Sequence, residues 1–159
     1  MKSIYERTIL QWFKEKVIDN SRENLLKALL EQDTNQIEDI ICDWLDETIS
    51  YHDEKEMYYH GFMSGLLSGF KGYTLKSNRE SGNGRYDLVL MERRRRSKAI
   101  IIEIKTADHF KKLDYWCNYA LNQIEENNYE SELLNEGFIE IIKYGIAFYK
   151  KSCMVKNSD

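Results

Sequence analysis

At 159 residues, 42% hydrophobic and 31% charged, the chain has room for one domain with its own core, or for one domain plus a helical extension. Cys42, Cys117 and Cys153 are scattered and odd in number with no Cys-x-x-Cys, which excludes a disulfide framework and a zinc knuckle; the charged opening reads as a helix rather than a signal peptide, and no apolar run is long enough to span a bilayer. The net charge of −4 hides an asymmetry: Lys71 to Lys112 holds 12 Lys/Arg against 5 Asp/Glu, a local +7, while the remainder is acidic. A soluble, cytoplasmic protein with one basic surface is the expectation.

In chain order, Ser3-Ile4-Tyr5-Glu6 is a capping box opening a helix to about Val17. A second helix covers Arg22 to Leu30. Asp33-Thr34-Asn35 then caps a third, in which Ile37, Ile40, Ile41, Trp44, Leu45 and Ile49 follow helical spacing. This acidic stretch, residues 1–50, reads as a helical extension ahead of a second unit, residues 51–159. A fourth helix runs from about Asp53 to Phe70. Its Gly61, Gly65 and Gly69 recur every four residues and predict a flat stripe for close packing on a sheet, and Glu56 and His60 share one of its faces. A strand from Tyr73 to Glu80, the turn Ser81-Gly82-Asn83-Gly84 and two apolar runs, Leu88-Val89-Leu90 and Ile100 to Ile104, follow. Lys111 to Asn127 predicts a helix, Ser131 to Asn135 a short one, Tyr144 to Tyr149 a strand, and Cys153 to Lys156 an edge strand. There is no proline, internal repeat or low-complexity linker.

The chemistry concentrates in the two apolar runs. Arg93 to Ser97 reads as a loop that makes them an antiparallel hairpin, and a symmetric loop sets Asp87 opposite Glu103. Glu103 and Lys105 are two apart in a strand and so share a face. Two facing carboxylates repel unless a cation sits between them, and charged residues are depleted from strand interiors unless paired or metal-bound. A divalent metal is the natural candidate, and the basic stretch around it suits a polyanionic substrate. The competing reading of Asp87, Glu103 and Lys105 is a structural ion cluster; that of Arg93, Arg94, Arg95 and Arg96 is a solvated hairpin tip that blunts edge pairing.

The order helix, three strands, helix, strand, with Asp on the second strand and Glu-x-Lys on the third, resembles the αβββαβ core of the PD-(D/E)XK nuclease superfamily. Tyr59-His60-Gly61-Phe62, the run Ser77 to Asp87 and Ala120-Leu121-Asn122-Gln123-Ile124 resemble the nuclease-like domain at the C-terminus of bacterial AAA-ATPase-like proteins. The resemblance covers about Asp53 to Lys156, and Met1 to Ser50 is similar to the helical segment preceding that domain. It implies an α/β, restriction-endonuclease-like fold with a mixed central sheet and a metal-dependent nuclease acting on DNA. Asp87, Glu103 and the Ile104 carbonyl would hold Mg²⁺ or Mn²⁺, with Glu56 as a further acidic ligand, Lys105 at the attacking water and Gln123 as an orienting residue. Arg79, Arg85, the arginines 93–96 and His60 are candidate nucleic-acid contacts. Glu54 competes with Glu56 for its role, His60 with a packing role, and Gln123 with a surface position. Glu80 and Asn78 flank the turn.

Tyr86 stands where the pattern has proline, and no Gly-x-x-x-x-Gly-Lys-Ser/Thr is present. An ATPase partner, or an ATPase domain on a longer chain, is therefore part of the expectation, as is a homodimer for cutting two strands. The alternative is a catalytically silent nuclease-fold module, derived from an AAA-ATPase-like protein, that binds nucleic acid or a protein partner.

Overall fold

Two almost wholly apolar runs lie at the centre of the sheet, buried on both faces as continuous aliphatic strands are. The computed structural model describes residues 7, 11, 19–48, 56–77 and 86–158. Its elements are α1 (Asp19–Glu31), α2 (Thr34–Thr48), α3 (Glu56–Leu67), β1 (Tyr73–Ser77), β2 (Leu88–Glu92), β3 (Lys98–Thr106), a 3₁₀ turn (Phe110–Lys112), α4 (Leu113–Glu126), α5 (Tyr129–Asn135), β4 (Glu140–Tyr149) and β5 (Ser152–Asn157). The expected capping box at Ser3 and the turn at Ser81–Gly84 lie outside the described residues, as do Glu54, Asn78, Arg79, Glu80 and Arg85.

Among the described residues the strands form one sheet in the order β1-β2-β3-β4-β5. All neighbours are antiparallel except β3 and β4, which run parallel and are joined through α4 and α5. The hairpin register pairs Leu88 with Ile102 and Leu90 with Ile100, the register that the symmetric loop predicts. β4 is longer than its predicted core because Glu140 to Lys143 also pair with β3.

The sheet has two covered faces. Leu88, Leu90, Ile100, Ile102, Ile104, Tyr144, Ile146 and Phe148 pack against α1, α2 and α3. Val89, Met91, Ala99 and Ile101 pack against α4 and α5 through Ile124, Tyr129 and Leu133. Leu25, Leu29, Ile37, Ile41 and Leu45 belong to the first of these cores, so α1 and α2 are built into the layer that covers the sheet. The Tyr144 hydroxyl, at 2.6 Å from the Leu29 carbonyl, ties α1 to β4. Asp33 caps α2 by accepting from the Gln36 N–H at 3.1 Å.

Two glycines matter for different reasons. Gly61 and Gly65 are buried on α3, but Gly69 lies beyond the helix end at φ +80° and completes no stripe. There it supplies the left-handed turn that follows a helix terminus. Gly145, inside β4, is where α4 comes closest to the sheet. A Cβ there would overlap the Cys117 carbonyl and lie 3.1 Å from both Ala120 Cβ and Leu121 Cγ. An isolated glycine within a strand run is the sequence signal for such an approach. Gly145→Ala should push α4 off the sheet and cost about 1–3 kcal/mol, measured as a lower urea midpoint with an unchanged slope.

Candidate active site

β3 runs on past the start of β2, and the site forms at that open end. β2 begins at Leu88, whereas β3 continues through Glu103, Ile104 and Lys105 to Thr106. Among the described residues, Asp87, just ahead of β2, is what meets this part of β3. Its Oδ2 accepts from the Ile104 N–H at 2.8 Å, and its own N–H donates to Glu103 Oε2 at 3.3 Å. Strand geometry sends the Ile104 carbonyl to the same side as its N–H, toward Asp87. Alternation places Asp87, Glu103 and Lys105 on the face covered by α4 and α5, with Ala99 and Ile101.

Glu103 is only 3% exposed. Burial first, and the neighbouring Asp87 charge second, push its carboxyl up to about 7, against the opposing pull of Lys105. The Lys105 ammonium lies 3.3 Å from Glu103 Oε1. It also sits 5.8 Å from the centre of the Tyr119 ring on α4. Burial and the Glu103 charge raise the Tyr129 phenol, which lies on the same side of the sheet.

Asp87 is fixed from the opposite layer too. His60 on α3 is 2% exposed, with Nε2 3.2 Å from the Asp87 carbonyl and 3.3 Å from the Ser77 hydroxyl. A carbonyl only accepts, so Nε2 carries the hydrogen. His60 therefore holds main chain rather than facing solvent, and the phosphate-contact expectation gives way to the packing role that competed with it.

A family model for the PD-(D/E)XK nuclease superfamily matches residues 54–158. The chain belongs to this superfamily. No curated protein and no solved structure gives a significant match. The five-stranded mixed sheet flanked by helices is the restriction-endonuclease-like α/β architecture of that superfamily, here with a helical N-terminal part.

The donor set fits the hard divalent ion that PD-(D/E)XK nucleases generally use. Two carboxylates meet at one end of a hairpin, a main-chain carbonyl points the same way, and the burial and mutual repulsion that raise Glu103 are what a cation would offset. Among the described residues no third His, Cys, Asp or Glu joins them. Glu56 begins α3 as an exposed residue, favoured there by the helix dipole, and the structure does not bring it to Asp87 and Glu103. Gln123 is half-buried on α4, one turn beyond Tyr119 on the same helix face.

The arginines do not gather at the acids. An antiparallel hairpin sets its tip and its open ends apart by the length of its strands, here roughly 17 Å for the five residues of β2. Arg93 donates to the Tyr73 carbonyl at 3.0 Å and Arg96 to the Glu136 carbonyl at 3.1 Å, while Arg94 and Arg95 are exposed. Glu92 closes the loop on the Ser97 hydroxyl and N–H. The run forms a solvated tip remote from the site, and the local +7 averages over both ends of the hairpin.

The raised Glu103 carboxyl makes stability depend on pH. Native Glu103 keeps its proton up to about pH 7, whereas the unfolded chain releases it near 4.5, so the native state binds more protons between these values. Its contribution is full below about 4.5 and lost as pH rises through about 7. In EDTA, urea unfolding should show a decline on the order of 3 kcal/mol across that interval. Glu103→Gln should flatten it.

Proposed function

We propose that the chain is a metal-dependent phosphodiesterase that hydrolyses DNA. The observation carrying this reading is the constellation at the open end of the hairpin: Asp87 held on the Ile104 N–H, the buried Glu103 carboxyl beside it, and Lys105 3.3 Å from Glu103. Asp87, Glu103 and the Ile104 carbonyl would hold Mg²⁺ or Mn²⁺. When bound, the ion would supply charge stabilisation at phosphorus and a more acidic water.

The protein's own groups would do the rest. Lys105 would hold the attacking water by hydrogen bonding and then stabilise the charge on the pentacovalent phosphorus with its ammonium. Glu103 keeps that ammonium in place. Gln123 would orient the substrate or the water from α4. His60 and Ser77 would position Asp87 through its main chain.

The strand-binding surface is proposed on α4 and the turn before it rather than at the arginine tip. Tyr115 and Tyr119 are 58% and 48% exposed with ring centres 6.4 Å apart, and Phe110, Lys111 and Lys112 continue the surface. Exposed aromatic rings beside lysines suit bases and phosphates together. Lys105 touches the Tyr119 ring and so joins this surface to the acids. The resemblance also grounds the proposal of a companion AAA-ATPase and a cytoplasmic setting, and a two-fold dimer would serve both strands of a duplex. Among the described residues no helix is long and apolar enough to cross a membrane.

Labelled single-stranded, duplex and branched DNA incubated with Mn²⁺ should be cut, and EDTA should stop the reaction. Asp87→Asn and Lys105→Ala should each lower the rate by about 10²–10³-fold, with circular dichroism confirming the fold. Folded protein that cuts neither DNA nor RNA and shows no site on metal titration would sink the proposal; retained binding in that case would point to a silent binding module.

Tyr119→Ala should weaken DNA binding about tenfold, and Lys111→Ala with Lys112→Ala should reduce its salt dependence. Arg94→Ser with Arg95→Ser should leave both unchanged in fluorescence-anisotropy titrations.

A further inference from the structure

On the face of the sheet opposite the acids, two cysteines meet across the junction between α2 and the edge strand β5. Cys42 Sγ and Cys153 Sγ are 3.6 Å apart and share a hydrogen bond. The elements carrying them are already locked together. Glu38 Oε1, one turn before Cys42, accepts from the Val155 N–H of β5 at 2.8 Å, and the Glu38 carbonyl lies 3.8 Å from Cys153 Sγ. Cys42 is half-buried and open to small reagents, while Cys153 is buried behind it. The remaining cysteine, Cys117, is buried on α4 and directs its thiol to the Met154 carbonyl at 3.0 Å.

We propose that Cys42 and Cys153 are a redox modification site, oxidised by hydrogen peroxide to a reversible disulfide that staples α2 to β5. The hydrogen bond from Cys153 lowers the Cys42 thiol to about 7, whereas that same contact and burial raise Cys153. Cys42 is thus the attacking thiolate and Cys153 the resolving thiol. The Cys42 sulfur attacks one peroxide oxygen, the O–O bond breaks, and the departing oxygen leaves as water after taking a proton. This makes a Cys42 sulfenic acid. The Cys153 sulfur then attacks the Cys42 sulfur, the S–O bond breaks, and the hydroxyl departs with the Cys153 proton as a second water. Two thiols are oxidised by two electrons and one peroxide is reduced to two waters. An added dithiol reverses the bond by thiol–disulfide exchange.

Closing the bond brings the sulfurs from 3.6 Å to about 2.05 Å, a movement within reach of side-chain rotation. The closed loop would span Cys42 to Cys153 and so enclose Asp87, Glu103 and Lys105. It would also join α2, which lies outside residues 54–158, covalently to the last strand of the matched unit. A long closed loop restricts the unfolded chain, which raises stability.

The full chain, reduced and freed of reductant, is treated with hydrogen peroxide, digested without reduction and mapped by mass spectrometry. The expected product joins the Cys42 peptide to the Cys153 peptide with loss of two hydrogens, and dithiothreitol releases it. The oxidised protein should melt about 5–10 °C higher than the reduced one. Cys42→Ser should abolish both the cross-link and the shift, and Cys117→Ser should retain both. Sulfinic acid at Cys42 without a cross-link, a disulfide between two chains, or a cross-link with no rise in melting temperature would overturn the proposal. The wild-type and Cys42→Ser arms decide it even if Cys153→Ser fails to fold.

Discussion

A carboxyl buried inside a sheet must be offset by what surrounds it, and the arrangement around Glu103 depends on that demand. β3 carries Glu103 in a run of isoleucines, with β4 alongside and α4 above. Among the described residues the strand on its other side has ended, and there the Ile104 main chain meets the Asp87 side chain. The same opening makes the group both acid-stabilised and receptive to a cation, because the two carboxyls repel each other in a poorly hydrated place. Lys105 offsets part of that charge.

The layers on either side keep this corner in register. On one face, His60 holds the Asp87 carbonyl and Ser77 holds the His60 ring, so α3 and β1 fix the residue whose carboxylate faces the other layer. On that other face, Gly145 lets α4 sit against β4 directly beside Glu103, its partner in the parallel ladder. Tyr119 reaches Lys105 of β3 because of that close seat. A larger residue at 145 would therefore move the aromatic surface relative to Lys105 without touching either. The seat of α4, and with it the place of Tyr119 beside Lys105, depends on one missing methyl group.

Sequence patterning exposed much of this. The loop Arg93 to Ser97 between two apolar runs implied the hairpin, and its symmetry implied a register that the structure reproduces at Leu88 and Ile102. Glu-Ile-Lys in a strand put Glu103 and Lys105 on one face by alternation alone. Local patterns went astray where they were treated as if position in sequence were position in space. Arg93 to Arg96 adjoin the acids along the chain but occupy the far end of the same hairpin. Gly69 completes a four-residue period on paper, yet the helix has ended and the residue serves a left-handed turn. Glu56 lies on a plausible helix face but remains at the exposed start of α3.

By itself, then, the sequence determined the strand and helix order, the hairpin register and the placing of Asp87, Glu103 and Lys105 at one end of it, because alternation and turn length are local properties. The match over residues 54–158 assigns the superfamily on that same linear pattern. Only the tertiary structure decided which helix faces meet the acids, that His60 is spent on the Asp87 main chain, and that Gly145 seats α4. It alone brought Cys42 beside Cys153, since a contact between residues separated by 111 positions depends on how two layers stack. No local pattern encodes that distance; it follows from packing α2 against the edge of the sheet.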